Sequence, residues 1–310
     1  MKNKKRLIGL TLGGGGARGL AHIGVLKILH EESIPLDIIS GTSMGALIGG
    51  AYASGATPEE LVEMTDKYLN SEEFQSSAIK AIAEARRKEN GGITKKFQTF
   101  LKNRLHLIQM LFKPGILSAE HFQSMINYFI PDIDVQETLI PFRAVATDLM
   151  SGEEIIFSEG PLRQAVMASC AVPGAIEPLK SGKRLLSDGG IVSSVPIRAA
   201  HKAGAHIVIA VTVTQEIFHQ EEFHSALAIY SRATDIMSCH LANYALKKAD
   251  IVIQPHVGRL HWSDYLQAKD LIYEGERATR EKIEAIKKIL PRPFYSRLRN
   301  FFQQTCLKSY

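Results

Sequence analysis

A serine can attack an ester at neutral pH only when a neighbouring base takes its proton and a polar pocket receives the charge that builds on the carbonyl oxygen. Three short blocks of this 310-residue chain offer residue types of that kind. Ser43 sits in Gly41-Thr42-Ser43-Met44-Gly45, after the β-forming Ile38-Ile39 and before Ala46-Leu47-Ile48, which resume at helical spacing. A strand that becomes a helix within so few residues thrusts its apex side chain into the open, and small flanking residues relieve the clash. G-x-S-x-G in that setting reads as a nucleophile elbow. An ordinary strand-to-helix turn with a serine N-cap is the plainer alternative.

The second block, Leu12-Gly13-Gly14-Gly15-Gly16-Ala17-Arg18-Gly19, ends a strand and opens a helix. Gly14, Gly16 and Gly19 satisfy the dinucleotide-binding fingerprint, with an acid, Asp37, about twenty residues on. The placement is wrong for that use. The ribose-binding acid belongs at the end of the second strand, and Asp37 stands at its beginning. The same glycines let backbone N–H groups converge on one spot, with a helix N-terminus behind them. That makes an oxyanion hole as readily as a phosphate cradle, and Arg18 could orient the loop or add to its field.

The third block supplies the base. Of the eleven histidines, His201, His206, His240, His256 and His261 all follow Ser43, and none has a companion motif. Asp188-Gly189-Gly190, by contrast, closes the strand of Arg184–Leu186 and precedes a helix near Pro196. A plain Asp-Gly turn is its simplest reading; beside the other two blocks, Asp188 is favoured as the base.

These blocks need a scaffold that brings strand ends together. The chain alternates strand and helix: strands at Leu7–Leu12, Leu36–Ser40, Phe142–Ala146, Glu154–Phe157, Arg184–Leu186, His206–Val213 and Asp250–Gln254. Helices are expected at Ala17–Glu32, Met44–Ser54, Leu162–Ser169, Pro196–Ala203, Ser225–Lys247 and Ser263–Leu290. A further helix starts after Thr57-Pro58-Glu59-Glu60, an N-cap, a proline at the first position and first-turn acids. This alternation predicts an α/β fold, three layers with a mainly parallel central sheet. Such sheets put ligands at the carboxyl ends of their strands, where all three blocks fall.

A hydrophobic share of 45% and a charged share of 22% suit a globular protein with a sizeable core. Cys170, Cys239 and Cys306 are odd in number and far apart, which argues against a disulfide framework and for a reducing compartment. The apolar run after the first lysines is short and lacks a cleavage site, so it is not read as a secretion signal. The net charge of +5 is uneven: residues 1–6 carry +4, 79–113 carry +7 and 281–310 carry +5, leaving −11 elsewhere. Between Ile93 and Phe112, apolar residues recur at helical spacing among lysines and arginines. The final segment likewise interleaves Phe294, Tyr295, Leu298, Phe301 and Phe302 with arginines. Basic amphipathic stretches suit an anionic membrane surface, and the one at 93–112 equally suits a helix packed on the core with a solvated basic face; no nucleic-acid motif accompanies them. The expected organisation is a basic tail (1–6), a catalytic domain (7–255) with a basic amphipathic insertion at about 79–113, and a helical extension (256–310). The expected location is the cytoplasm, peripheral at the inner face of the cell membrane.

Together, Gly14-Gly15-Gly16-Ala17-Arg18-Gly19, Gly41-Thr42-Ser43-Met44-Gly45 and Asp188-Gly189-Gly190 resemble the three ordered blocks of patatin-like phospholipases, particularly the bacterial ones. Ala146-Thr147-Asp148-Leu149 and Ser169-Cys170-Ala171-Val172-Pro173 are further echoes, so the similarity spans roughly Leu7 to Val213. The resemblance implies a Ser43–Asp188 dyad, a glycine-loop oxyanion hole and hydrolysis of lipid acyl esters, without metal or cofactor. Two positions depart from the pattern: Ser194 stands where asparagine is common before Val-Pro, and Ile176 where phenylalanine is common. Head group, chain length and oligomeric state are not legible.

Overall fold

A computed structural model of the protein describes residues 6–77, 80, 84, 115–117, 119–219, 222–223, 225–258, 260–261 and 263–291. The expected basic tail, apart from Arg6, nearly all of the basic insertion and the aromatic end segment lie outside the described residues.

From its start the chain forms β1 (Ile8–Leu12), α1 (Ala21–Glu31), β2 (Ile38–Thr42), α2 (Met44–Ala53), α3 (Pro58–Asn70) and α4 (Glu72–Gln75). There follow β3 (Gly115–Leu117), α5 (Ala119–Phe129), β4 (Phe142–Asp148), β5 (Glu154–Phe157), α6 (Leu162–Ser169), β6 (Gly174–Ile176), β7 (Leu179–Ser181) and β8 (Arg184–Asp188). The last elements are α7 (Ile197–Lys202), β9 (Ile207–Val211), α8 (Ala226–Leu246), β10 (Ile251–Ile253) and α9 (Ala268–Ile289). The main sheet runs β10-β9-β1-β2-β4-β8-β7, with β5 also on β4. It is parallel from β10 to β4 and antiparallel where β4 meets β5 and β8 and where β8 meets β7.

The strands are continuously apolar because both faces are covered. Alternate residues feed different cores: Ile207, Ile209 and Val211 join Ile8, Leu10 and Leu12 in the larger one. Val208 and Ala210 join Ile38, Val195, Ile197 and Ala242 in the smaller. A two-residue period thus builds the three layers. On the larger face α1 packs closely against α9. A side-chain carbon at Gly275 would stand 1.9 Å from the Ala21 carbonyl oxygen, so only glycine lets the helices meet. Lys27–Glu276 at 2.7 Å, Lys287–Glu32 at 2.8 Å and Arg280–Glu31 at 3.1 Å border the contact.

The capping expected at Thr57 is complete: Glu60 N–H donates to Thr57 Oγ1 (3.2 Å) and Thr57 N–H donates to Glu60 Oε2 (2.8 Å). The first helix begins later than expected, because Gly16–Leu20 forms a 3₁₀ turn. The second strand runs on to Thr42, past the expected end at Ser40.

Candidate active site

The register of β4 brings two distant blocks together. Thr42, the end of β2, pairs with Val145 in parallel, and Asp188, the end of β8, pairs with Ala146 in antiparallel. β5 occupies the other edge of β4 over Ala144–Thr147. A strand has only two edges, so β2 and β8 share one. They run towards each other and stop at neighbouring residues, which leaves Ser43 and Asp188 side by side.

Ser43 follows with φ +54° and ψ −125°, one of two described non-glycine residues with positive φ. Such backbone costs on the order of 1–3 kcal/mol and persists only where the surroundings impose it. The bend also needs Gly45, because a side-chain carbon there would lie 2.1 Å from the Leu12 carbonyl oxygen. Gly41 lies directly under this turn, against the Gly45 carbonyl. The apex is less open than the sequence suggests: Ser43 is 6% exposed and Asp188 7%. The glycine loop and the Asp188 loop lean over it.

The Ser43 hydroxyl faces the Asp188 carboxyl closely enough to favour its charged form. Burial pushes that carboxyl up to about 6, opposed by the nearby Ser43 hydroxyl and by the bond from Gly190 N–H at 2.7 Å. A carboxylate with that proton affinity is ionised at neutral pH yet basic enough to take a proton. Its backbone is held as well: Thr147 Oγ1 donates to the Asp188 carbonyl at 2.9 Å. Gly189 sits against the Val145 carbonyl, and Thr42 Oγ1 donates to the Ser193 carbonyl at 2.8 Å.

The glycine loop meets the same point. A side-chain carbon at Gly14 would come within 3.3 Å of Ser43 Cβ, and Gly19 lies against Met44. Gly14 N–H is engaged with the Ser194 carbonyl (2.9 Å) and Gly13 N–H with Val211 (3.0 Å). Gly15 and Gly16, at the start of the 3₁₀ turn, take part in neither of these bonds. Arg18 Nε donates to the Gly15 carbonyl at 3.1 Å. Burial lowers the affinity of the Arg18 guanidinium for its proton, and the charge of Asp235 on α8 offsets part of that.

Two supporting residues carry no signal of their own in the sequence. His22, one turn into the helical region, is fully buried, and its Nε2 lies 2.7 Å from the Gly13 carbonyl. Burial drives its proton affinity down to about 4, against the pull of that carbonyl, so the neutral ring donates from Nε2 and braces the loop. Ser169 appears in sequence only within a longer block; its hydroxyl contacts Ser43 N–H. Two of the histidines after Ser43 are engaged elsewhere: His206 Nδ1 accepts from Leu7 N–H, and His201 Nδ1 lies 3.2 Å from the Ala205 carbonyl. Asp37 accepts from Ile8 N–H at 2.9 Å, tying the start of β2 to the start of β1. Among the described residues no three His, Cys, Asp or Glu side chains are grouped to hold a metal ion.

The family model described as Patatin-like phospholipase matches residues 10–201. An uncharacterized NTE family protein of Mycobacterium tuberculosis is 34% identical over 206 residues, 66% of this chain and 49% of that relative. The neuropathy target esterase of Drosophila melanogaster is 31% identical over 209 residues, 66% of this chain and 13% of the relative. The chain thus spans about half the length, or less, of the curated relatives it matches. Among solved structures, VipD from Legionella pneumophila aligns at a TM-score of 0.39 with 14% identity, over 88% of this chain and 67% of that one. From the family match and the identities to curated relatives, the chain belongs to the patatin-like phospholipase family.

Proposed function

We propose that the protein is a serine lipid acyl hydrolase that cleaves carboxylic esters through a Ser43–Asp188 dyad. The observation that carries this reading is Ser43, on a backbone strained to φ +54°, set by the β4 register beside a buried carboxylate whose proton affinity is raised to about 6. Asp188 takes the proton as Ser43 Oγ bonds to the ester carbonyl carbon. The carbonyl oxygen becomes an oxyanion, received by Gly15 and Gly16 N–H at the positive end of the following turn. Collapse of this intermediate breaks the ester bond, and the leaving alkoxide takes the proton from Asp188. Water, deprotonated by the same carboxylate, then attacks the acyl-enzyme and frees the fatty acid and Ser43. Each oxyanion donor is worth about 3 kcal/mol.

An apolar pocket begins beside the nucleophile. Leu20, Met44, Leu47, Ile48, Met125 and Phe129 line it; at about 20 Å³ it would have to widen to take an acyl chain. No described helix is long and apolar enough to cross a membrane. Access to lipid would then come from surface binding by the basic segments at 1–6, 79–113 and 281–310. The deciding experiment is labelling with a fluorophosphonate probe. The wild type should be labelled and folded Ser43→Ala should not; labelling of the variant, or hydrolysis by it at most of the wild-type rate, would remove this mechanism. A protein that binds lipid vesicles or a nucleotide but is never labelled would be a non-catalytic lipid- or nucleotide-binding member of the fold.

A further inference from the structure

Where β2 and β8 stop on their shared edge of β4, the ladder has a gap, and one side chain fills it. Ser43 N–H donates to Ser169 Oγ at 2.9 Å, and the same hydroxyl donates to the Val145 carbonyl at 2.6 Å. Val145 is the residue paired with Thr42, so Ser169 replaces the rung that the strand bend takes away. Two residues on, the Ala171 carbonyl accepts from Asp188 N–H at 2.9 Å and from Ser187 Oγ at 2.7 Å. The segment leaving α6 therefore grips the backbone of both Ser43 and Asp188, from opposite sides of the gap.

We infer that Ser169 is a positioning residue: with Ala171 it forms a bracket that holds Ser43 in its strained conformation and fixes its distance from Asp188. The inference rests on the Ser43–Asp188 reading above. Ser169 is fully buried, so neither partner can turn to water instead. A hydroxyl has one proton to give and lone pairs to accept. Here both functions are spent on backbone groups, which alanine cannot satisfy. Without the bracket the residue at positive φ relaxes towards ordinary backbone, and the hydroxyl swings from the carboxylate. Displacement of about 1 Å at a reacting group costs on the order of a hundredfold in rate. Ser169 touches neither substrate nor proton, so substrate binding is left alone.

The test compares Ser169→Ala, Ser169→Cys and Ser43→Ala on a soluble short-chain ester, with fluorophosphonate labelling rates for each. Ser169→Ala should lose roughly tenfold to a hundredfold in kcat and in labelling rate, with KM within about twofold of wild type. Ser169→Cys, whose thiol is a weak donor and acceptor, should fall between the two, and it carries the test alone if the alanine variant does not fold. A merely structural serine would lower the melting temperature and leave kcat per folded molecule unchanged. That result, for whichever variant folds, overturns the inference while an inactive Ser43→Ala keeps the hydrolase reading standing. An active Ser43→Ala overturns both.

Discussion

Replacing Asp188 by asparagine should make the protein inactive and more stable at once. The carboxyl is buried and its proton affinity rises from an ordinary 3.8 to about 6. A tenfold change in proton affinity corresponds to about 1.4 kcal/mol, so keeping this group ionised costs the folded state about 3 kcal/mol. Linkage gives the direction with pH. Between pH 3.8 and 6 the folded protein holds a proton that the unfolded chain has released. Stability from this group is therefore greatest in acid and is lost as pH rises through that window. Asparagine cannot ionise and escapes the cost. Its Oδ1 can still accept from Gly190 N–H, while Nδ2 faces the Ser43 hydroxyl as a donor, so the loop keeps its shape. Urea unfolding at two pH values isolates the effect: the variant should gain about 1 kcal/mol over wild type at pH 4.5 and about 3 kcal/mol at pH 8. Ester hydrolysis should fall to near background. A gain that does not grow with pH would refute the claim that Asp188 is desolvated, and retained hydrolysis would refute its role as base.

The same carboxylate sets a pH profile: kcat/KM should be flat from pH 7 to 8 and fall tenfold per pH unit below about 6, and undiminished rates at pH 5 would contradict it. Gly275→Ala forces a methyl carbon to 1.9 Å from the Ala21 carbonyl oxygen, so it should cost about 3 kcal/mol or more. An unchanged urea midpoint would show that α1 and α9 can part cheaply. The intact chain should cosediment with anionic vesicles, weakly with neutral ones, and partly resist high salt, because charge attraction is screened while apolar burial is not. Deleting residues 293–310 should lower activity on vesicles more than on a soluble ester; equal loss on both would make the segment structural.

What is legible in the sequence is what local chemistry dictates. Gly41 and Gly45 around Ser43 announce a bend that no larger residue could make, and Thr57-Pro58-Glu59-Glu60 spells out a capped helix start. The alternation of apolar strands and helices leads to the three-layer fold. Other features depend on register, which no local pattern encodes. Nothing near Ser43 or Asp188 states that Thr42 and Asp188 pair with neighbouring residues of β4. The brace from His22 and the rung supplied by Ser169 are side chains of unremarkable type whose meaning lies in a distant carbonyl or amide. Nor could the glycine run reveal that Gly14 N–H is already engaged by Ser194. β6 and β7, three residues each, are too short for any periodicity to register, and nothing local shows that β5 and β8, both anticipated as strands, run antiparallel to β4.

The central position of β1 has a consequence for how the protein is made. β1 carries the glycine loop at its end, and one of its two neighbours, β9, lies about two hundred residues later in the chain. α9, which clasps α1 from behind, comes later still. At synthesis rates of about 5–20 residues per second, the strand bearing the loop waits on the order of 10–40 s for its second partner. During that interval an apolar edge is exposed to every other nascent chain nearby. The family model's match ends at residue 201, before β9 begins, so its bounds stop short of the folding unit. A fragment cut at that boundary would contain Ser43, Asp188 and the glycine loop and still lack the strand that seats them.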